Sequence, residues 1–156
     1  MKRSVYEDGV NVPFLVAGPE IAPGTTAALG HAVDLSATLA ALAGTTPSPA
    51  ASDSVSLHAV FEDASARVRD HVICDVERIE TNPSNEIRET CVVLESADGL
   101  VKGRFFDDVL RMTSTRTYYE LESDPAEAAP LAPRDPRFED EIRTVRELWR
   151  AYVDRP

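Results

Sequence analysis

The sequence has very little lysine and no long apolar run. Only Lys2 and Lys102 are lysines among 16 basic residues, and 27 acidic residues bring the formal net charge to −11. Such a charge repels nucleic acid and anionic lipid, so neither is an expected partner. No apolar stretch reaches the length of a membrane span, and charged residues follow Met1 where a signal peptide has its apolar region. We therefore predict no membrane segment.

Cysteine is also scarce. Cys74 and Cys91 fall in separate predicted strands, without a metal-binding or redox spacing. Two buried free thiols are the predicted state, with a disulfide bridge as the alternative. Free thiols are typical of a reducing compartment, so the expected localisation is cytoplasmic.

The acidic composition carries a prediction about the environment of the protein. High acid content, depletion of lysine and many Ala, Val and Asp residues are typical of salt-adapted, haloarchaeal proteins. Concentrated ions screen the self-repulsion that such a charge would otherwise impose. We therefore predict a halophilic protein.

The first part of the chain predicts one strand and one helix. Residues 12–17 form a continuous apolar run that ends at Gly18, which predicts a strand covered on both faces. Asp34 is placed to cap a helix that ends near Gly44 and carries three leucines on one face, predicted to pack on the sheet. A short helical turn is expected at 56–61.

From residue 71 the pattern changes to short β-rich runs, which predicts an antiparallel sheet. The runs are 71–76, 88–95, 101–106, 109–113 and 118–121. The segment 97–99 is a hairpin signal, and the pair Asp107 and Asp108 is predicted to be a solvated turn rather than a metal site. Apolar residues recurring at three and four positions from Phe138 to Tyr152 predict an amphipathic terminal helix that covers one side of the sheet.

Four segments occur in the order in which a known family carries similar ones. The opening segment is residues 2–19, KRSVYEDGVNVPFLVAGP, and the helix segment is residues 31–44, HAVDLSATLAALAG. The SVSL segment is residues 54–57, and the closing segment is residues 118–127, YYELESDPAE. Together they resemble the sulfatase family of the alkaline phosphatase superfamily, with K-G-x-x-Y-E-G-G-x-R-V-P, H-x-V-D-L-x-P-T-L, D-G-x-S-L and E-L-Y-D-L-x-x-D-P-x-E as the family patterns.

The resemblance implies an α/β fold and a division of the chain. Residues 1–66 would be the end of an alkaline-phosphatase-like α/β/α sandwich, and residues 67–156 a small antiparallel sheet with a C-terminal helix. In the family these segments follow the nucleophile and the metal ligands. The chain is therefore expected to be the C-terminal portion of such an enzyme.

The resemblance assigns a substrate-binding role to Lys2, which matches the family lysine that contacts a sulfate oxygen. An ammonium there would neutralise charge on the sulfuryl group and on the leaving oxygen. Glu7 matches the glutamate of the pattern and is expected to be a structural acceptor for backbone amides. Arg3 and Asp8 stand where the family usually has glycines. Asp8 adds negative charge beside the anion site.

The family also implies components that this sequence does not contain. Its nucleophile is a formylglycine made from the cysteine or serine of a C/S-x-P-x-R element, and its usual metal is calcium, held by acidic and amide side chains. Neither cysteine here has that context, so no catalytic residue and no metal ligand is assigned. The expected function is sulfuric ester hydrolysis in a complete enzyme, with this chain inactive alone and the N-terminal half as a partner. The alternatives are a phosphodiester or phosphonate hydrolase and a non-catalytic remnant or split-protein binding module.

Overall fold

The computed structural model describes residues 4–19, 21, 23–51, 53–79, 86–108 and 111–155. The chain divides into two compact units. The sheet unit comprises residues 1–13 and 73–156, and the helical unit comprises residues 14–72. The opening segment thus starts in the same unit as the C-terminal sheet. The predicted division after residue 66 concerns a complete enzyme and stays a prediction.

The described part of the chain forms a mixed α/β fold with one open antiparallel sheet. The strands are β1, His71–Ile79; β2, Glu86–Ser96; β3, Gly99–Asp108; and β4, Thr113–Glu120. Their order in the sheet is β1-β2-β3-β4, and β2–β3 and β3–β4 pair antiparallel. The predicted hairpin at 97–99 is confirmed, since Ser96 is opposite Gly99, which has a φ of 126°.

The terminal helix α4, Glu139–Val153, packs on β2 and β3 as the amphipathic pattern predicted. Its buried residues Ile142 and Val145 join an apolar core with strand residues and with Phe138, the residue that precedes the helix. The other core members are Val92, Leu94, Val101, Phe105 and Tyr118. Gly103 lets the helix approach the sheet, because a Cβ there would lie 2.3 Å from Cγ1 of Val145.

A short helix α1, Glu7–Val10, also belongs to the sheet unit. The helical unit contains α2, Asp34–Leu42, a 3₁₀ turn at Pro49–Ala51, and α3, His58–Glu62. The predicted helix from Asp34 is confirmed as α2, and Gly44 has the positive φ of a helix stop. The helical turn predicted at 56–61 is present as α3, which begins two residues later than predicted. None of the described helices has the length and apolar composition that crossing a bilayer requires.

Two predictions about apolar surfaces are wrong. Residues 12–17 form no strand, and Leu15 is 91% exposed, because no described strand pairs with this run. The leucine face of α2 is not covered either, with Leu39 64% exposed. The buried face of α2 carries Asp34, Ala37 and Thr38 instead. The apolar spacing did identify the leucine face of α2. A face of this kind is buried only where other residues pack on it, and none of the described residues covers this one.

The sheet departs from its predicted limits near Asp107 and Asp108. Both residues lie in β3 rather than in a turn, and Asp108 is buried and accepts the backbone N–H of Arg111 at 2.9 Å. The turn falls instead at residues 111–112, inside the predicted strand 109–113, of which 109–110 lie outside the described residues. Polar side chains extended β3 because each aspartate has a partner, Asp107 pairing with Arg116 at 3.0 Å.

Candidate functional site

Lys2, the sequence-predicted substrate-binding residue, lies outside the described residues. Ser4 and Val5, the first two residues that the structure describes, are both buried in the sheet unit. The oxygen of the Ser4 side chain accepts the backbone N–H of Tyr6 at 3.2 Å. The described residues closest in sequence to Lys2 are therefore those of the opening segment, and their contacts define the candidate site.

A buried ion cluster of Lys102, Glu7 and Glu127 holds that segment. The Nζ atom of Lys102 donates to Oε1 of Glu7 at 2.8 Å and lies 3.1 Å from Oε1 of Glu127. The other oxygen of Glu127 accepts the backbone N–H of Glu7 at 2.6 Å. Lys102, on β3, and Glu127, after β4, thus bind both the side chain and the backbone of the first residue of α1.

The cluster keeps its lysine charged in a dry environment. The Lys102 side chain is 0% exposed. Burial alone would lower the pKa of Lys102, but the hydrogen bond that it donates to Glu7 and the charges of Glu7 and Glu127 outweigh it and raise the pKa. The ammonium is a permanent structural charge at neutral pH, with no role as an acid or base.

Glu127 is held in an unusual conformation for this purpose. Its φ is 53°, in the left-handed region that a residue with a Cβ rarely adopts. Its Oε1 is buried and lies within ion-pair distance of Lys102 without hydrogen-bond geometry. Local strain of this kind persists only where surrounding contacts impose it.

A second set of contacts continues from the cluster. The guanidinium of Arg104, on β3, lies over the ring of Tyr6 at 4.1 Å from its centroid. Arg104 also pairs with Glu89 of β2 at 3.5 Å. The opening segment is therefore attached to β3 at two positions on the same strand, two residues apart and on one face.

In the helical unit, Asp34 is the corresponding buried charge. Its carboxylate accepts backbone N–H groups of His31 and Val55, both at 2.9 Å, and receives Nε of Arg69 at 2.8 Å. The predicted side-chain cap of α2 is wrong, since these amides lie outside the helix. Burial would raise the pKa of Asp34, but the hydrogen bonds from Arg69, Val55 and His31 together lower it.

The four segments quoted above contact one another in pairs. Glu7 of the opening segment meets Glu127 of the closing segment within the sheet unit. In the helical unit, the helix segment binds the SVSL segment through Asp34 and through two further hydrogen bonds. Those are Ala37 N–H to the Ser54 oxygen and Leu57 N–H to the Thr38 oxygen, both at 2.9 Å. Asp34, Thr38, Ser54 and Glu127 each accept a backbone N–H from the segment with which their own segment is paired.

Glu7 is structural in this arrangement, but through a different contact from the predicted one. Its carboxylate receives an ammonium rather than backbone amides, because Lys102 reaches it from β3. Sequence reasoning missed Lys102 and Arg69 as partners. A lysine in the middle of an apolar strand of a lysine-poor chain was the available signal.

The cysteines lie on β1 and β2, which are neighbours in the sheet, and they are not joined by a disulfide. Cys91 is buried as predicted, whereas Cys74 is only partly buried. The hydrogen bond with Cys74 and burial raise the pKa of the Cys91 thiol well above its ordinary value. Cys91 is thus a protonated core residue and a poor nucleophile.

The calcium implied for a complete enzyme needs several oxygen ligands in one place. Within the described ranges no group of three His, Cys, Asp or Glu side chains converges in a way that could hold an ion. These residues do not fit a calcium site, and no catalytic step is assigned to a metal here.

Comparison with known protein families, with curated proteins and with solved structures found no match to this chain.

Proposed function

We propose that this chain is the C-terminal part of a sulfatase-like hydrolase, inactive alone. In the complete enzyme it would end an alkaline-phosphatase-like α/β/α sandwich and add the small sheet and terminal helix. The reaction is hydrolysis of a sulfate ester to an alcohol and sulfate, with the nucleophile and calcium supplied by an N-terminal half.

The observation that carries this proposal is the pairing of the four segments. Segments that belong to the core of one family's fold are expected to contact one another in the folded chain. Here the backbone N–H of Glu7 donates to the carboxylate of Glu127, 120 residues away in the sequence. The backbone N–H of Val55 donates to the carboxylate of Asp34, 21 residues away. In both contacts a carboxylate of one segment accepts a backbone N–H of another and so holds two parts of the chain together.

The exposed apolar residues support a larger assembly. Leu15, Leu39, Phe14 and Leu42 are large, exposed and belong to the helical unit. Several large apolar side chains exposed on one unit favour burial against further protein. An N-terminal half that adds strands beside residues 12–17 and a layer over α2 is the partner this surface fits.

Lys2 has a defined role in this proposal. Its ammonium would lie at the sulfuryl oxygens and stabilise the charge that develops as the ester bond breaks. Lys102 would act only indirectly, by holding the opening segment that carries Lys2. The same ammonium serves any tetrahedral oxyanion, so a phosphodiester or phosphonate substrate is the alternative chemistry.

The test starts with the DNA immediately upstream of this coding sequence. We expect an in-frame or neighbouring C/S-x-P-x-R element followed by an Asp-Asn pair. The encoded polypeptide is then produced with this chain, with formylglycine formation ensured, and assayed on 4-nitrophenyl sulfate and bis(4-nitrophenyl) phosphate. Sulfate ester hydrolysis that requires both polypeptides is the expected result. Equal rates on the two substrates would remove the preference for sulfate.

Two substitutions locate the role of the opening segment in that assay. Lys2→Ala should lower kcat about 10²- to 10³-fold, the usual effect of losing one transition-state contact. Arg3→Ala, one position further along, is the control and should have a far smaller effect. An upstream region without the nucleophile element would instead favour a non-catalytic remnant.

A further inference from the structure

An open cavity of about 250 Å³ lies in the sheet unit, between α4, the inner strand β3 and the edge strand β4. Its walls are aromatic and cationic. They are formed by Phe105, Arg116, Tyr118, Pro133, Arg146, Trp149 and Arg150. All of them belong to the sheet unit, so the cavity is independent of how the two units are arranged.

The aromatic wall is preorganised. Trp149 and Phe105 stack with centroids 4.6 Å apart and an interplanar angle of 4°. Tyr118 meets Phe105 edge to face at 6.3 Å. The guanidinium of Arg116 lies 4.5 Å from the Trp149 ring. Rings fixed in this way offer flat apolar surface without a further loss of side-chain entropy on binding.

The charges at the cavity are not balanced. Arg116 is neutralised by Asp107 at 3.0 Å and also donates to the carbonyl oxygen of Phe106. Arg146 donates only to neutral acceptors, the Tyr118 hydroxyl at 2.7 Å and the carbonyl oxygen of Pro133 at 2.9 Å. The Arg150 guanidinium has no hydrogen bond or ion pair with any described residue. Within the part of the chain that the structure describes, two positive charges thus have no anionic partner, although the net charge of the chain is −11.

A purely structural role accounts for one of these two arginines but not for the other. Arg146 ties Tyr118 to Pro133 and has a structural role. Arg150 holds no other described residue in place, although Glu147 is on the same helix and acidic residues are abundant in the chain. A last-turn arginine does interact favourably with the helix dipole, but that needs no aromatic cavity beside it.

We propose that this cavity binds a small aromatic oxyanion, such as an arylcarboxylate or an aryl sulfate. The ring packs against Trp149 and its neighbours, and the oxyanion is held by Arg150 and Arg146. Arginine suits this task because its planar fork matches two oxygens of one carboxylate or sulfate group. The inference stands whether or not the chain is part of a sulfatase.

Trp149 is the only tryptophan in the chain, so its fluorescence reports on the cavity directly. The full chain is titrated with benzoate, phenyl sulfate, inorganic sulfate and benzyl alcohol at constant ionic strength. We expect saturable changes with benzoate or phenyl sulfate, with a Kd of about 1 mM or below, as for a ligand of this size. Inorganic sulfate and benzyl alcohol, which each lack one half of the chemistry, should bind at least about tenfold more weakly.

Arg150→Gln removes one charge from an exposed position and should weaken benzoate or phenyl sulfate binding about tenfold, since a charged hydrogen bond is lost. Arg143→Gln is the matched control, because Arg143 is on the same helix, is neutralised by Asp140 and does not line the cavity. Its affinity should equal that of the parent.

Three outcomes would overturn the proposal. They are no saturable binding of either aromatic anion, inorganic sulfate binding as tightly as they do, and equal effects of the two substitutions. Thermal unfolding of both variants shows whether the fold is intact. The relative affinities of benzoate and phenyl sulfate identify which oxyanion the cavity prefers.

Discussion

Lys102 and Glu7, 95 residues apart in the sequence, form a 2.8 Å ion pair in the interior of the sheet unit. The pair fixes the opening segment to β3, and Glu127 completes it from the closing segment. Lys2 lies five residues before Glu7. The stability of this contact therefore bears on both the fold and the proposed substrate contact.

Lys102→Met should lower the free energy of unfolding by about 3–5 kcal/mol, because it leaves two carboxylates without their partner in a buried place. Denaturation followed by Trp149 fluorescence measures the effect in the correct unit. Arg143→Ala breaks an exposed ion pair and should cost at most about 1 kcal/mol. Similar costs for the two variants would contradict a structural role for the cluster. The triple variant Glu7→Gln, Lys102→Met, Glu127→Gln should recover part of the loss.

Gly103→Ala should disrupt the packing of α4 on the sheet. The added Cβ would lie 2.3 Å from Val145 Cγ1 and 3.1 Å from the Phe105 ring. Overpacking of this kind costs about 1–3 kcal/mol or more in free energy of unfolding. Adding Val145→Ala removes the clashing methyl group and should restore part of the stability, unlike two independent changes. Gly24→Ala, where a Cβ meets no atom within 4 Å, is the control and should be nearly neutral.

Asp34→Asn should destabilise the helical unit at neutral pH by about 3 kcal/mol, because Arg69 loses its buried partner. The pKa of Asp34 is lower in the folded state than its ordinary value. The unfolded chain therefore takes up the proton first as pH falls, and the stability that the carboxylate supplies is lost below about pH 4.

The difference in free energy of unfolding between parent and Asp34→Asn should accordingly shrink between pH 7 and pH 3. Circular dichroism during denaturation at several pH values measures it. Asp63→Asn is the comparison, since Asp63 is exposed and its hydrogen-bonded partner is Ser65. A difference for Asp34→Asn that stays constant across this range would show that its carboxylate does not stabilise the fold as an anion.

The isolated chain should self-associate through the apolar side chains that the helical unit exposes. The double variant Leu15→Gln, Leu39→Gln should reduce the apparent mass in light scattering. Met112→Gln removes a side chain that is 92% exposed in a turn of the sheet unit, and should leave association unchanged. A monodisperse parent monomer would contradict this prediction and weaken the case for a missing partner.

The folded fraction should rise with salt, since a formal charge of −11 repels itself less when ions screen it. Circular dichroism during a titration from very low to molar KCl measures this effect. Complete folding at very low ionic strength would count against adaptation to high salt.

Local sequence signals correctly predicted the elements whose backbone hydrogen bonds join residues close together in the chain. The helix at Asp34–Leu42, the terminal helix and the hairpin at 97–99 follow from apolar spacing and turn residues close together in sequence. The strand predicted at 12–17 failed because a strand requires a neighbour, and its sequence does not say whether one is present. The exposed apolar run at 12–17 has the same residue pattern as a buried strand.

The sequence by itself determined the acidic character, the amphipathic helices and the alternation that makes a sheet, since each depends on residue type and spacing. It also contained the four segments, but not the reason for their polar residues. Only the tertiary structure decided that Lys102 reaches Glu7, that Asp34 receives Arg69 and that three arginines meet beside Trp149. Such contacts join residues far apart in the chain, and their energies depend on burial and geometry that no local pattern encodes.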